Sequence, residues 1–224
     1  MHTTTQHDQL CITTITLGAL ATNCYFIWDR TSRQAIIIDS ADAGEFLAQM
    51  IGEIDLKPTA IIFTHAHFDH ILGSFALATL LQLPTWLHPA DASLLRKAQK
   101  SAEYWLKHPV DPVLPVNNTI TSRTEFSLGK KQVKVLHLPG HTPGGIGIGV
   151  FSGAAPFICS GDLITDQGIG AATHTYSNKK DLKNSLKKLT KLPTNTTYYP
   201  GHGKPLKQIE IKAILAQHLG DSVQ

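Results

Sequence analysis

The chain is poor in cysteine, in net charge and in long apolar runs. Its three cysteines, Cys11, Cys24 and Cys159, are odd in number, scattered, and set in apolar stretches such as Phe157-Ile158-Cys159. That pattern excludes a disulfide framework and reads as buried reduced thiols, so a cytoplasmic location is expected. No run approaches the ~18 apolar residues of a membrane span, and the polar stretch Met1 to Gln9 lacks the apolar core of a signal peptide. Neither insertion in a membrane nor export by that route is expected. A net charge of +3 is too mild to mark a nucleic-acid surface or a membrane-binding face.

What is present is histidine. Twelve in 224 residues is about twice the content of an average soluble chain, and they are clustered, as a metal site requires. The length suits one large domain or two fused half-domains with a substantial core.

Apolar, β-branched runs at Leu10 to Thr16, Asn23 to Trp28 and Ala35 to Asp39 read as an antiparallel meander. Gly44 to Ile54 reads as a helix, Pro58 to Phe63 as a short buried strand, Asp69 to Gln82 as a helix, Thr85 to His88 as a strand and Asp91 to Lys107 as an amphipathic helix. Pro109 to Asn118, with three prolines and two asparagines, reads as a connector. A second cycle follows: strands at Thr124 to Leu128, Lys131 to His137, Gly145 to Phe151 and Phe157 to Ser160, a helix at Lys179 to Lys191, a strand at Thr196 to Tyr199 and a helix from Gln208 to Leu219. The expectation is an α+β fold, a four-layer αβ/βα sandwich. Residues 1–9 would be a flexible tail and 10–224 a single domain whose two pseudo-repeated halves meet near 109–118.

Four motifs carry chemistry, each at a strand end. Thr64-His65-Ala66-His67-Phe68-Asp69-His70 follows a buried strand. Alternation along extended chain puts His65 and His67 on one side, while Asp69 and His70 turn back at the mouth of the next helix. Three imidazoles and a carboxylate within six residues have little structural use without a cation. The second motif, His137-Leu138-Pro139-Gly140-His141-Thr142-Pro143-Gly144, offers His141 on a stiff turn, with His137 expected to be a packed, hydrogen-bonded core residue. Ser160-Gly161-Asp162 and Pro200-Gly201-His202-Gly203 complete the set.

In this order the motifs resemble the metallo-β-lactamase superfamily, and within it the short glyoxalase II-like (hydroxyacylglutathione hydrolase-like) branch. The resemblance spans nearly the whole chain. Asp39, ending Ala35-Ile36-Ile37-Ile38, matches the superfamily's first motif, a carboxylate that supports a ligand histidine. The resemblance implies one metal held by His65, His67 and His141, another by Asp69, His70 and His202, and Asp162 bridging them. Two divalent ions follow, zinc by default, with iron and manganese also suited to these donors. It further implies hydrolysis of a small-molecule acyl thioester or ester by metal-held hydroxide that Asp69 helps to orient, with no nucleic acid or membrane partner. A mononuclear iron persulfide dioxygenase, a metal-dependent lactonase and a nuclease share the scaffold.

The sequence departs from the branch in three places. Asp39-Ser40-Ala41 stands where Asp-Pro-Gly is usual, and Gly170-Ala171-Ala172-Thr173 where many short relatives carry Gly-Arg-x-Asp. The chain stops about twenty residues after Pro205, without the C-terminal helical domain through which glyoxalase II contacts glutathione, so weak glutathione preference is expected. Two further stretches read as ordinary structure. The lysines of residues 179–191 form a solvated helix face opposite Leu182, Leu186, Leu189 and Leu192, and Tyr104 and Trp105 are expected in the core.

Overall fold

The structure, a computed structural model, describes residues 2–219. A seven-stranded sheet contains β1 (His2–His7), β2 (Leu10–Leu17), β3 (Thr22–Asp29), β4 (Gln34–Ile38), β5 (Lys57–Ile62), β6 (Thr85–Leu87) and β7 (Asn118–Thr119), side by side in chain order. Helices α1 (Gly44–Glu53), α2 (Phe68–Ile71), α3 (Ser74–Leu81) and α4 (Ala92–Leu106) lie in the connections between β4 and β7. The second sheet holds β8 (Glu125–Leu128), β9 (Lys131–His137), β10 (Ile146–Val150), β11 (Phe157–Gly161), β14 (Thr197–Pro200) and β15 (Leu206–Lys207) in the order β15-β14-β11-β10-β9-β8. A small hairpin of β12 (Ile164–Thr165) and β13 (Gly168–Ile169) precedes α5 (Lys179–Leu189), and α6 (Gln208–Leu219) follows β15.

Three apolar clusters define the layers. Alternate residues of β3 and β4 point to opposite faces, as strand geometry requires. Cys24, Phe26, Ala35 and Ile37 pack with Leu47, Met50, Ile51 and Leu77 of the helices, while Tyr25, Ile27, Ile36 and Ile38 face Val133, Val135, Ile146 and Ile148 of the second sheet. A third cluster joins Ile158 and Tyr198 to Leu182, Leu186 and Leu189 of α5 and to Ile211 and Leu215 of α6. Helices, sheet, sheet and helices are therefore stacked in four layers, the expected sandwich. The β3 and β4 strands are buried on both faces, which is why they read as unbroken apolar runs.

The structure corrects the expectation in four places. The segment expected as an N-terminal tail forms β1, paired antiparallel from His2 opposite Ile15 to His7 opposite Leu10. The expected helix from Asp69 to Gln82 is broken into α2 and α3 at Gly73, whose N–H donates to Ala41 O at 2.7 Å. A Cβ there would overlap Ser40 O, so the turn after Asp39 is wedged into the break. Tyr104 and Trp105 are not core: they are 65% and 68% exposed. The β12–β13 hairpin was not expected.

The three cysteines are buried and free. Among the described residues no helix is long and apolar enough to cross a membrane.

Candidate metal centre

All four motifs emerge at one edge of the sandwich. The first leaves β5, the second joins β9 to β10, Asp162 follows β11 and His202 follows β14. The two sheets are stitched together there: Asn23 N donates to Gly201 O at 2.8 Å, and Thr22 bridges His202. Gly201 must be glycine, since a Cβ would overlap Asp162 Oδ1 and come within 2.6 Å of His70 Cε1.

The expected ligands form two groups, His65, His67, His141 and Asp162 in one and Asp69, His70 and His202 in the other. In the first, His67 Nδ1 lies 3.0 Å from both His65 Nε2 and His141 Nε2, and Asp162 Oδ2 lies 3.7 and 3.5 Å from those same two nitrogens. In the second, Asp69 Oδ2 lies 3.5 Å from His70 Nε2 and 3.3 Å from His202 Nε2. Asp162 reaches this group too, with Oδ1 3.4 Å from His70 Nε2 and Oδ2 3.4 Å from His202 Nε2. Donors ~2.0–2.1 Å from a tetrahedral ion are separated by about 3.3 Å, so both groups have the spacing of metal donors.

The outward nitrogens settle the tautomers. His141 Nδ1 donates to Ala171 O at 2.8 Å, His202 Nδ1 to Leu20 O at 3.1 Å and His70 Nδ1 to Asp39 Oδ2 at 2.7 Å. Thr64 Oγ1 donates to Asp39 Oδ2 at 2.8 Å and so accepts from His65 Nδ1 at 3.0 Å. His67 Nε2 meets Tyr176 Oη at 2.8 Å. In their neutral forms His65, His70, His141 and His202 thus turn a lone pair inward. The buried His70 Nε2 and Asp162 Oδ1 find no hydrogen-bond partner, an arrangement that is expensive unless a cation supplies one.

The electrostatics carry the same imbalance. Burial disfavours the charged form of every ligand, but around His70 it is outweighed by Asp162, Asp69 and Asp39, which raise that imidazole well above its ordinary value. For His202, Asp162 and Asp69 overcome burial and lift it to about 10. Burial and the neighbouring His141 lower His67 to about 3, and burial with His70 lowers His65. Burial is overcome at Asp69 by His70, His202 and Thr22, leaving it at about 2, and at Asp162 chiefly by His70 and His202. The carboxylates draw protons onto two imidazoles, and divalent ions would displace those protons.

Asp39 stands where the first motif puts it, fully buried, accepting from Thr64 N at 2.7 Å as well as from His70 and Thr64 Oγ1. Its φ is +54° and that of Ala41 is +45°, so this turn runs left-handed without a glycine. Other supports were not expected. Thr22 Oγ1 donates to Asp69 Oδ2 at 2.7 Å. Asp91, read as a helix start, makes no cap bond. Its buried carboxylate accepts instead from Ala66 N at 3.1 Å and Gly144 N at 2.5 Å, tying the first histidine loop to the second. His137 is half-buried, bonded through Nε2 to Pro143 O and stacked on His88, outside the cluster as expected.

Residues 17–202 match the family model described as the metallo-beta-lactamase superfamily. The chain belongs to that superfamily. Among its relatives are the "Probable metallo-hydrolase YqgX" of Bacillus subtilis, 31% identical over 84% of this chain and 87% of that protein, and the "Hydroxyacylglutathione hydrolase GloC" of Haemophilus influenzae, 30% identical over 84% and 89%. Among solved structures, TTHA1623 in a di-iron-bound form superposes with a TM-score of 0.78 at 34% identity, covering 90% of this chain and 97% of that one. This superfamily member is a metal-dependent hydrolase with a His/Asp cluster capable of binding metal ions.

Proposed function

We propose that the chain is a dinuclear hydrolase of thioesters or related esters. His65, His67 and His141 would hold one divalent ion and Asp69, His70 and His202 the other, with Asp162 facing both groups. The observation that carries the reading is the placement of Asp162 within 3.7 Å of four imidazole nitrogens whose lone pairs all turn inward. Zinc suits these nitrogen and carboxylate donors, and iron or manganese also fits. When bound, the ions supply Lewis acidity and lower the pKa of water.

The chain's own residues do the rest. Asp69 stays ionised and, held by Thr22, can orient an attacking water by accepting its hydrogen bond. Water adds its oxygen to the acyl carbon, the carbon–sulfur bond breaks, and the thiol leaves with one of the water's protons. A small apolar cleft lined by Leu17, Leu20, Phe68, Leu72 and Leu106 adjoins Asp69. The likeness to a protein named as a hydroxyacylglutathione hydrolase supports thioesters as the substrate class.

Metal analysis of the purified protein, with hydrolysis assays on thioesters, lactones and phosphodiesters, tests the reading. About two equivalents of metal, one after His202→Ala, and chelator-sensitive thioesterase activity are expected. A single equivalent unaffected by His202→Ala would overturn the dinuclear assignment, and phosphodiester cleavage without thioester cleavage would overturn the substrate class.

A further inference from the structure

Four of the five inward-facing imidazoles are locked by groups that can only accept: the carbonyls of Ala171 and Leu20, the Asp39 carboxylate, and a Thr64 hydroxyl whose own proton is committed to Asp39. His67 is the exception. It presents Nδ1, not Nε2, to the cluster, and its outer nitrogen rests on a phenol that could donate or accept. We propose that Tyr176 is the positioning residue for His67: its hydroxyl accepts from Nε2–H and so keeps the Nδ1 lone pair on the first cation position. The proposal rests on the reading of His67 as a metal ligand.

The loop is built to hold that hydroxyl in place. Tyr176 stacks on His174, with ring centroids 5.0 Å apart and planes 10° from parallel. Ser177 N closes a turn onto His174 O at 3.0 Å, Ser177 Oγ donates to His141 O at 2.8 Å, and Asn178 N donates to Gly140 O at 2.9 Å. Asn178 then caps α5 through Lys180 N and Asp181 N. The turn is thereby fastened to the His141 loop, and the same stretch supplies Ala171 O to His141 Nδ1. One segment, residues 170–178, therefore orients two of the three histidines of the first group.

His174 completes the arrangement. Its ring centroid lies 5.6 Å from His67 and 6.4 Å from His141, its side chain is exposed, and its ring nitrogens make no hydrogen bond among the described residues. It acts on the site through Tyr176, as the ring against which the phenol is held. Its removal should therefore have a smaller effect than removal of the hydroxyl.

Tyr176→Phe keeps the ring and deletes only the acceptor. Long-range ¹H–¹⁵N spectra of the zinc-loaded protein read the outer Nε2–H of His67 directly; without a cation, Nδ1 would itself carry the proton, since it lies 3.0 Å from the lone pairs of His65 and His141. The wild type is expected to show an Nε2–H held downfield and protected from exchange by the phenol, and Tyr176→Phe to lose that protection. Cobalt titration against a competing chelator, in the His202→Ala background where only the first group is complete, should show affinity falling about 10- to 100-fold with Tyr176→Phe, and by a few-fold at most with His174→Ala. In the His67→Ala background, where the second group is complete, Tyr176→Phe should change nothing.

An unchanged His67 Nε2–H signal with affinity within twofold would overturn the proposal. So would an equal loss in both backgrounds, which would mark a general loosening of the fold. If the wild type takes up no cobalt, the metal reading fails and the proposal with it, whereas uptake that ignores Tyr176→Phe overturns the proposal alone.

Discussion

The two groups of donors that meet at Asp162 differ in what stands behind them. His70, Asp69 and His202 lean on Asp39, Thr22 and Leu20 O, all at strand ends of the first sheet or in the β2–β3 turn. His67 and His141 lean on Tyr176 and Ala171 O, from a loop of the second half that lies between β13 and α5. Support drawn from sheet ends cannot change without disturbing the core. Support drawn from a loop can change its chemistry while the layers stay as they are.

The sharpest way to break this comparison is at the shared carboxylate. Asp162→Asn should lower uptake at both cation positions and reduce hydrolysis more than a hundredfold, beyond the ~10–100-fold effect of an outer partner. Asp39→Asn should weaken the second position within that range. Equal losses in paired cation titrations and initial rates would remove the distinction between a residue facing both groups and one standing behind a single histidine.

A smaller effect is expected at Asp91, which joins the loops of His65, His67 and His141. Asp91→Ala strands two buried N–H groups and should cost about 2–4 kcal/mol, lowering the midpoint of thermal unfolding by roughly 5–10 °C. An unchanged midpoint would show that the first group needs no such tie.

The smallest effect concerns the approach to that tie. Burial, then the stacked His137, lower His88 to about 4 from an ordinary 6.5. Between those values the unfolded chain binds more protons than the folded one, so stability falls as the pH drops from about 6.5 towards about 4. His88→Gln should flatten that slope in denaturant titrations across the window, and an unaltered slope would place the titrating group elsewhere.

Much of this was legible in the sequence, for identifiable reasons. The doubly buried strands β3 and β4 read as apolar runs, and the donors read as ligand-type residues at strand ends. β1 escaped because five of its six residues are exposed, which leaves no apolar alternation to read. The break between α2 and α3 is made by the turn after Asp39, a contact with no local signature. Thr22, Thr64, Tyr176 and the carbonyls of Leu20 and Ala171 are ordinary residues whose role depends on where the chain returns. Asp91 was visible as a helix start, but its carboxylate points across to other loops.

Neither half of the chain owns a complete group of donors. His65, His67, Asp69 and His70 precede the 109–118 connector, while His141, Asp162 and His202 follow it. Ions bound at these positions would act as a clasp between two fragments, and reassembly of the protein from pieces separated in that connector should depend on them. Any ion that binds the joined form alone would contribute by mass action about 2.7 kcal/mol at a hundred times its dissociation constant. The centre would then govern assembly as well as chemistry.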